Sequence, residues 1–227
     1  MMKGWGHWLV ASPCRWLLPG LVILVIFPGI DLTVSGWFLA DGRFFLRHHG
    51  LFEFIRTATP PLTLGIALFV ALLGTAAAIF RQSFFGIHPR GAIYLLSSLA
   101  IGPGLLANTL FKDHWGRARP STLIAFGGDR TFTPALVMAD QCRSNCSFVS
   151  GHAALAFWMV AFALLVPPLW RRQVILVAVS YGFFVGFVRM AQGGHFLSDV
   201  VFAAVLTIGV SYGVHRLIIR ETGAPNV

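Results

Sequence analysis

The sequence predicts an all-α polytopic membrane protein, a bundle of six transmembrane helices, from its composition and from the spacing of its apolar segments. Of the 227 residues, 56% are hydrophobic and only 11% are charged, and the mean hydropathy is +0.76. Soluble domains carry roughly a quarter charged residues. So few charges could not cover a globule in water, but they could cover the two ends of a bundle whose sides face lipid.

Six segments are apolar over a length that crosses a bilayer, which takes roughly 20 residues. They lie near residues 16–38, 61–80, 92–111, 153–170, 173–190 and 199–219. The first resembles a signal peptide, but no small-x-small cleavage site follows it cleanly, which predicts an uncleaved span. We therefore expect one membrane-embedded domain over residues 1–227.

Basic residues predict the orientation. With six spans, the termini and the second and fourth loops share one side, where Glu221 is the single acidic residue. The basic residues of that side are Lys3, Arg15, Arg81, Arg90, Arg171, Arg172, Arg216 and Arg220. The positive-inside rule then places both termini in the cytoplasm. The opposite face carries nine Lys and Arg, but several of these belong to motifs with a chemical reason of their own.

Two loops are long. The first, residues 39–60, interleaves phenylalanine with arginine, which is typical of a helix lying in the membrane interface. An ordinary aromatic belt and a role in guiding substrate fit this pattern about equally well. The third loop, residues 112–151, is longer and more polar than a connection requires, which predicts a functional loop.

Cys142 and Cys146 lie in this third loop, outside the cytoplasm in the predicted topology. A thiol pair persists as a disulfide there, whereas in the cytosol it would normally stay reduced. Zinc is the alternative, but the further ligands of a tetrahedral site are missing nearby. We favour the disulfide.

Nine residues in three short clusters share one property, since each stands at the end of a predicted span on the same membrane face. They are Lys112, Arg119 and Pro120; Ser150, Gly151 and His152; and Arg189, His195 and Asp199. Singly, each would be an ordinary interfacial residue. Ionisable side chains near lipid are costly, however, and nine residues at fixed local spacings indicate a site.

The clusters supply what phosphoryl transfer requires. Lys112, Arg119 and Arg189 offer three cations for the phosphate oxygens. Ser150 adds a hydroxyl donor, and Gly151 lets the amides of a helix start approach the anion. No metal or other cofactor is expected, because the cations take the place of a metal.

The histidines supply the reacting groups. His195 and Asp199 are four residues apart and share a helical face if the last span starts slightly early. A carboxylate that holds one imidazole nitrogen fixes the tautomer and leaves the other nitrogen as a nucleophile. His152, from another helix, can protonate the leaving oxygen and later activate water.

This pattern resembles the signature of the type 2 phosphatidic acid phosphatase superfamily, which is Lys-x6-Arg-Pro, Pro-Ser-Gly-His and Ser-Arg-x5-His-x3-Asp. The chain reads KDHWGRARP, VSGH and VRMAQGGHFLSD, within residues 112–199. Val149 replaces the usual proline and Val188 the usual serine, and neither change removes a residue with a chemical step.

The resemblance implies a site at the extracytoplasmic membrane surface. It implies that His195 is the nucleophile and forms a phosphohistidine, that Asp199 is its partner, and that His152 is the general acid. It also implies a set of phosphate-binding residues, namely Lys112, Arg119, Ser150, Gly151 and Arg189. The role of Arg117 stays open between binding a second phosphate or headgroup and bracing the loop.

The stretches FVSGHAA and QGGHFLSDV further resemble bacterial lipid A phosphatases. We expect metal-independent dephosphorylation of lipid A or a related envelope lipid in the bacterial inner membrane, on the periplasmic side. The expected partners are the lipid phosphate and the bilayer, without nucleic acid and without an obligate protein partner. Undecaprenyl diphosphate and phosphatidylglycerophosphate are rival substrates, and transfer of phosphate to an acceptor lipid is the rival reaction.

Overall fold

The computed structural model describes residues 14–220 and is mostly helical. Lys3 and Glu221, which entered the orientation argument, lie outside the described residues. The first helix, α1 (Cys14–Ile26), is followed after a 97° bend by α2 (Gly29–Gly36). A small antiparallel hairpin follows, in which β1 (Leu39–Ala40) pairs with β2 (Arg43–Phe44).

Six further helical segments complete the bundle. They are α3 (Gly50–Phe80), α4 (Pro89–His114), α5 (Gly151–Phe157), α6 (Met159–Leu165), α7 (Pro168–Ala191) and α8 (Leu197–His215). The middle of α4, Ala100–Phe111, is a π-helix, and a second π-helical segment, Arg216–Arg220, extends α8. Residues 115–150 form an irregular loop with two single 3-10 turns.

By length and composition, four described helices could cross a membrane, namely Gly50–Phe80, Pro89–His114, Pro168–Ala191 and Leu197–Ile219. The bent pair α1–α2 makes a fifth if it counts as one span, and Gly151–Leu165 is a shorter apolar stretch. These helices confirm a helical membrane protein with four or five candidate spans, and the sixth span stays a prediction.

The predicted interfacial helix over residues 39–60 is wrong. The hairpin occupies its first part, and α3 begins at Gly50, continuous with the predicted span 61–80. Pro60 and Pro61 lie inside α3, where proline normally breaks a helix because it has no N–H to donate. The hydroxyls of Thr59 and Thr63 bond the carbonyls of Ile55 and Thr59 at 2.7 and 2.9 Å, within the same turns.

The core of the bundle is the stretch α5–α6, which is enclosed by α3, α4, α7 and α8. Trp158, which is fully buried, donates its indole N–H to the Leu95 carbonyl and the Ser98 hydroxyl of α4, each at 3.1 Å. On the other side, a Cβ on Gly182 of α7 would lie 2.2 Å from the Phe157 ring. Close contact between α5 and α7 therefore depends on this glycine.

Successive helices run in alternating directions, which brings particular helix ends together. The last turns of α4 and α7 and the first turns of α3, α5 and α8 meet at one end of the bundle, where α2 also lies. The short connections at residues 81–88 and 166–167 are at the other end. The polar clusters identified in the sequence lie at the end where α4 and α7 finish and α3, α5 and α8 begin.

Candidate active site

His195, in the loop between α7 and α8, is held by a backbone carbonyl. Its Nδ1 lies 2.7 Å from the carbonyl oxygen of Ser147. A carbonyl can only accept, so Nδ1 carries the hydrogen and Nε2 keeps its lone pair. Burial lowers the pKa of His195 to about 3, against the opposing effect of the Asp199 carboxylate. The imidazole is therefore neutral near pH 7, the form a nucleophile needs.

Asp199, in the first turn of α8, acts on this histidine less directly than the sequence predicts. Its Oδ2 lies 3.7 Å from His195 Nδ1, which is longer than a hydrogen bond. The reason is that Oδ2 already accepts from the Ser147 hydroxyl at 2.5 Å and from the Phe196 amide at 2.9 Å. Asp199 therefore holds Ser147, and the carbonyl of Ser147 holds His195.

His152, in the first turn of α5, is oriented by α3. Its Nε2 lies 3.1 Å from the carbonyl oxygen of Arg56. In a regular helix that carbonyl would accept from residue 60, but residue 60 is proline and has no N–H. Pro60 thus leaves free the backbone group that holds His152.

The start of α5 forms a close-packed turn beside Lys112. Ser150 is the N-cap of the helix and accepts from the Ala153 amide at 3.4 Å. A Cβ on Gly151 would lie 2.2 Å from Asn108 Oδ1 and 3.1 Å from Lys112 Nζ. Lys112 Nζ in turn donates to Asn108 Oδ1 at 3.4 Å. Glycine at position 151 is therefore required for the lysine to stand beside the helix start.

Arg189, at the end of α7, is 5% exposed and only partly satisfied. Its NH1 donates to the side-chain oxygen of Gln192, whose Nε2 reaches Glu53 of α3 at 3.3 Å. Within residues 14–220, its Nε has no hydrogen-bond partner. An unpaired guanidinium nitrogen in a buried position is costly and is suited to an anion that supplies the missing acceptor.

Arg119, in the long loop, is positioned by the segment that contains the two cysteines. Its NH2 donates to the backbone and side-chain oxygens of Asn145 at 2.7 and 3.0 Å. Burial lowers the pKa of Arg119, which remains charged near neutral pH. Cys142 and Cys146 are joined in a disulfide that encloses Asn145. The Cys146 amide donates to the Lys112 carbonyl at 2.9 Å.

The structure thus brings the predicted site residues to one end of the bundle, and their chemical roles remain predictions. It adds residues that the sequence argument did not single out: Asp31, Glu53, Arg56, Asn108, Asn145, Ser147 and Gln192. Among these, only Asp31 left a signal in the sequence, as a carboxylate inside an apolar segment. Residues 14–220 contain no group of three or more His, Cys, Asp and Glu side chains arranged to hold a metal ion.

Three relatives carry the name lipid A 4'-phosphatase. The protein of Francisella tularensis subsp. novicida is 35% identical over 88% of this chain and 91% of its own length. That of Rhizobium etli is 34% identical over 89% of this chain and 87% of its own, and that of Rhizobium leguminosarum 34% over 80% and 84%. No solved structure matches the chain.

A family model described as the PAP2 superfamily matches residues 91–222, the region that contains all three clusters. This match and the relatives confirm the family and the enzyme class predicted from the sequence. The chain belongs to the PAP2 superfamily, and it is a phosphatase.

Proposed function

We propose that this enzyme removes the 4'-phosphate of lipid A, or the corresponding phosphate of a closely related envelope lipid. The observation that carries the proposal is the extent of the likeness, because three relatives of that name align over 80% or more of this chain. The site supports it independently with cationic groups near a neutral histidine. Lys112, which is half-buried, stands beside Gly151 in the first turn of α5. Arg189, which is buried, stands beside Gly194 in the loop that contains His195.

The proposed reaction has two steps. In the first, His195 Nε2 attacks phosphorus, the bond to the lipid oxygen breaks, and His152, which enters this step protonated on both nitrogens, gives that oxygen its Nδ1 proton. The enzyme then carries phosphohistidine at position 195. In the second step His152 takes a proton from water, the water oxygen attacks phosphorus, and the P–N bond breaks to release inorganic phosphate.

The two imidazoles use different nitrogens in this scheme. His195 Nδ1 donates to the Ser147 carbonyl, so Nε2 is the attacking atom. His152 Nε2 donates to the Arg56 carbonyl, so Nδ1 is the atom that gives and takes the proton. In both cases a fixed backbone oxygen selects the tautomer.

The cations neutralise charge on the phosphoryl oxygens. Arg189 offers its unpartnered Nε, and Lys112 stands beside the Gly151 amide at the positive end of α5. Arg119 faces the same region, held from behind by Asn145. Such positioned charges stabilise the transition state because they need no reorganisation during the reaction.

We further propose that the chain crosses the bacterial inner membrane six times, with α1–α2 as the first crossing and α5–α6 as a short fourth one. The site would face the periplasm and both termini the cytoplasm. The gathering of all three clusters at one end supports α5–α6 as a crossing, because α7 then returns the chain to the same side. A disulfide in the site loop suits an oxidising compartment. Alkaline phosphatase fused at residue 128 should be active if the loop is periplasmic, and a fusion at residue 84 should be inactive.

The substrate is tested by phosphate release from lipid A, undecaprenyl diphosphate, phosphatidylglycerophosphate and phosphatidic acid. The purified protein is used in detergent with chelator, beside His195→Ala and, as a matched control at the far end, Arg90→Gln. We expect lipid A to be the best substrate, His195→Ala to be inactive, and the control to match the wild type. Radiolabelled phosphate on the protein should be acid-labile and alkali-stable, and absent from His195→Ala.

If another lipid is the best substrate, the assignment of lipid A as substrate is overturned. Activity in His195→Ala would overturn the mechanism. Transfer of the label to an added acceptor lipid, without release of phosphate, would replace the hydrolase by a phosphotransferase.

A further inference from the structure

Arg117 is completely buried and fully engaged. Its Nε donates to the Thr133 carbonyl at 2.9 Å, and NH1 donates to the Ser198 hydroxyl at 2.8 Å and to Asp199 Oδ1 at 2.5 Å. NH2 donates to Asp31 Oδ2 at 2.8 Å. The guanidinium carbon lies 4.2 Å from the centroid of the Phe196 ring. All three guanidinium nitrogens have partners, through four of the five N–H groups, and the side chain is fully buried, which favours bracing the loop over binding a second phosphate.

Asp31 brings a second carboxylate to the same arginine from α2. It is 1% exposed, and it also accepts the Ser198 amide at 2.9 Å and the Ser198 hydroxyl at 2.5 Å. Asp31 and Asp199 are therefore two buried negative groups with Arg117 between them. Two carboxylates this close are stable together only while a cation compensates them.

This buried group connects to the reacting histidine through contacts already described. Arg117 holds one oxygen of Asp199, the other oxygen holds the Ser147 hydroxyl, and the Ser147 carbonyl holds His195. The charged and titratable groups that face Asp199 are Arg117, Asp31 and His195, with Arg119 at longer range. A change in the charge at position 117 or 31 must alter how readily Asp199 takes up a proton.

We propose that Arg117 and Asp31 are positioning residues, whose buried ion pair keeps Asp199 ionised and in place and so orients the histidine nucleophile. The proposal rests on the function proposed above, and it gives α1–α2 a part in catalysis. Neither residue touches the substrate, so their replacement should lower kcat and leave KM nearly unchanged.

The test is a double-mutant cycle with Arg117→Gln and Asp31→Asn, each of which removes a charge and keeps a polar amide. Arg117→Gln should lower kcat at pH 7 by roughly 100-fold, an effect typical of losing a group that orients a catalytic ligand, with KM within about threefold. Its pH–rate profile should shift so that activity returns at higher pH, because Asp199 then takes up a proton more readily. Asp31→Asn should lose roughly 10-fold or less, since Arg117 still neutralises Asp199.

The double variant decides between positioning and mere structural support. If charge balance around Asp199 is what matters, removing the Asp31 charge as well lets Asp199 stay ionised in the absence of Arg117. The kcat of the double variant should then be at least about 10-fold above that of Arg117→Gln alone. If the pair only holds the fold together, the double variant will be no better than Arg117→Gln, its pH profile will stay unshifted, and the proposal is overturned. Arg90→Gln, in the exposed first turn of α4, is the matched control.

A second measurement distinguishes a failure of the proposed function from a failure of the proposed positioning role of Arg117 and Asp31. Side-chain ¹⁵N NMR of His195, assigned by comparison with His195→Ala, reports its tautomer without any turnover. We expect the Nδ1–H form in the wild type and a tautomer mixture or altered titration in Arg117→Gln. If the wild type hydrolyses no lipid, the proposed function fails while this spectrum still tests the pair. If the wild type is active and the His195 spectrum of Arg117→Gln is unchanged, the positioning role of Arg117 and Asp31 is overturned and the proposed function stands.

Discussion

Replacing Gly151 by alanine puts a methyl group into space that other side chains occupy. The added Cβ would lie 2.2 Å from Asn108 Oδ1 and 3.1 Å from Lys112 Nζ. Real Cβ contacts essentially never fall below 3.0 Å, so Asn108 Oδ1 must move by at least 0.8 Å. That oxygen accepts a long hydrogen bond of 3.4 Å from Lys112 Nζ. When the Asn108 side chain moves, Lys112 therefore loses its position as well.

The size of the effect follows from this displacement. A shift of about 1 Å in a catalytic group can cost roughly 100-fold in rate. We therefore expect Gly151→Ala to lower kcat/KM roughly 10- to 100-fold, equivalent to about 1.4–2.7 kcal/mol of transition-state stabilisation. The measurement is initial-rate kinetics on the best lipid substrate in detergent.

Two further variants separate a local clash from a general effect of adding a methyl group. Gly209→Ala lies in α8 where a Cβ meets nothing within 4 Å, so activity and stability should be kept. Asn108→Ala alone removes the acceptor of the Lys112 hydrogen bond without adding a methyl group, so it should lower kcat/KM by a similar factor. Wild-type kcat/KM in Gly151→Ala or in Asn108→Ala would refute the reasoning.

Three other predictions concern the histidines. Ser147→Ala should lower kcat roughly 10-fold with KM unchanged, because Asp199 loses a hydrogen bond that fixes the loop. A rise in KM of roughly 10-fold would contradict this prediction. His195 should stay neutral from pH 8 to pH 5 by ¹⁵N NMR, since burial lowers its pKa to about 3; protonation near pH 6.5 would refute it. The unfolded chain does take up that proton below about pH 6.5, so thermal stability should fall as the pH drops from there toward 3. Pro60→Ala adds an N–H that competes with His152 for the Arg56 carbonyl, and kcat on an alkyl phosphate should fall roughly 10-fold. An aryl phosphate has a better leaving group and should be affected less; an equal loss on both would argue against an effect on the general acid.

The membrane-helical fold and the site clusters could be predicted because both depend on local sequence. Apolar length defines a span, and the short spacing from His195 to Asp199 keeps the two residues close together at the start of α8. They do not share a helical face, because α8 begins at Leu197 and His195 lies in the loop before it. The start of α3 could not be predicted in this way. The apolar segment predicts a span from residue 61, whereas the helix begins at Gly50 and continues through Pro60 and Pro61.

The support around the reacting groups could not be predicted, because it comes from contacts distant in the chain. The Ser147 carbonyl reaches His195 across 48 residues, and the Arg56 carbonyl reaches His152 across 96. A backbone oxygen has no sequence signature of its own. Asp31 is the exception, since an acid inside an apolar segment is costly enough to indicate a partner.

The ion pair between Arg117 and Asp31 also bears on how far the chain can be shortened from its N-terminus without loss of function. The family match begins at residue 91, after α1, α2 and α3. A chain trimmed to the matched residues 91–222 would keep the three sequence clusters. It would bury Arg117 beside Asp199 without the second carboxylate, and His152 would lose the Arg56 carbonyl. The sequence motifs therefore identify the candidate site, whereas the cooperative unit that a protein engineer must keep intact includes the helices that precede them.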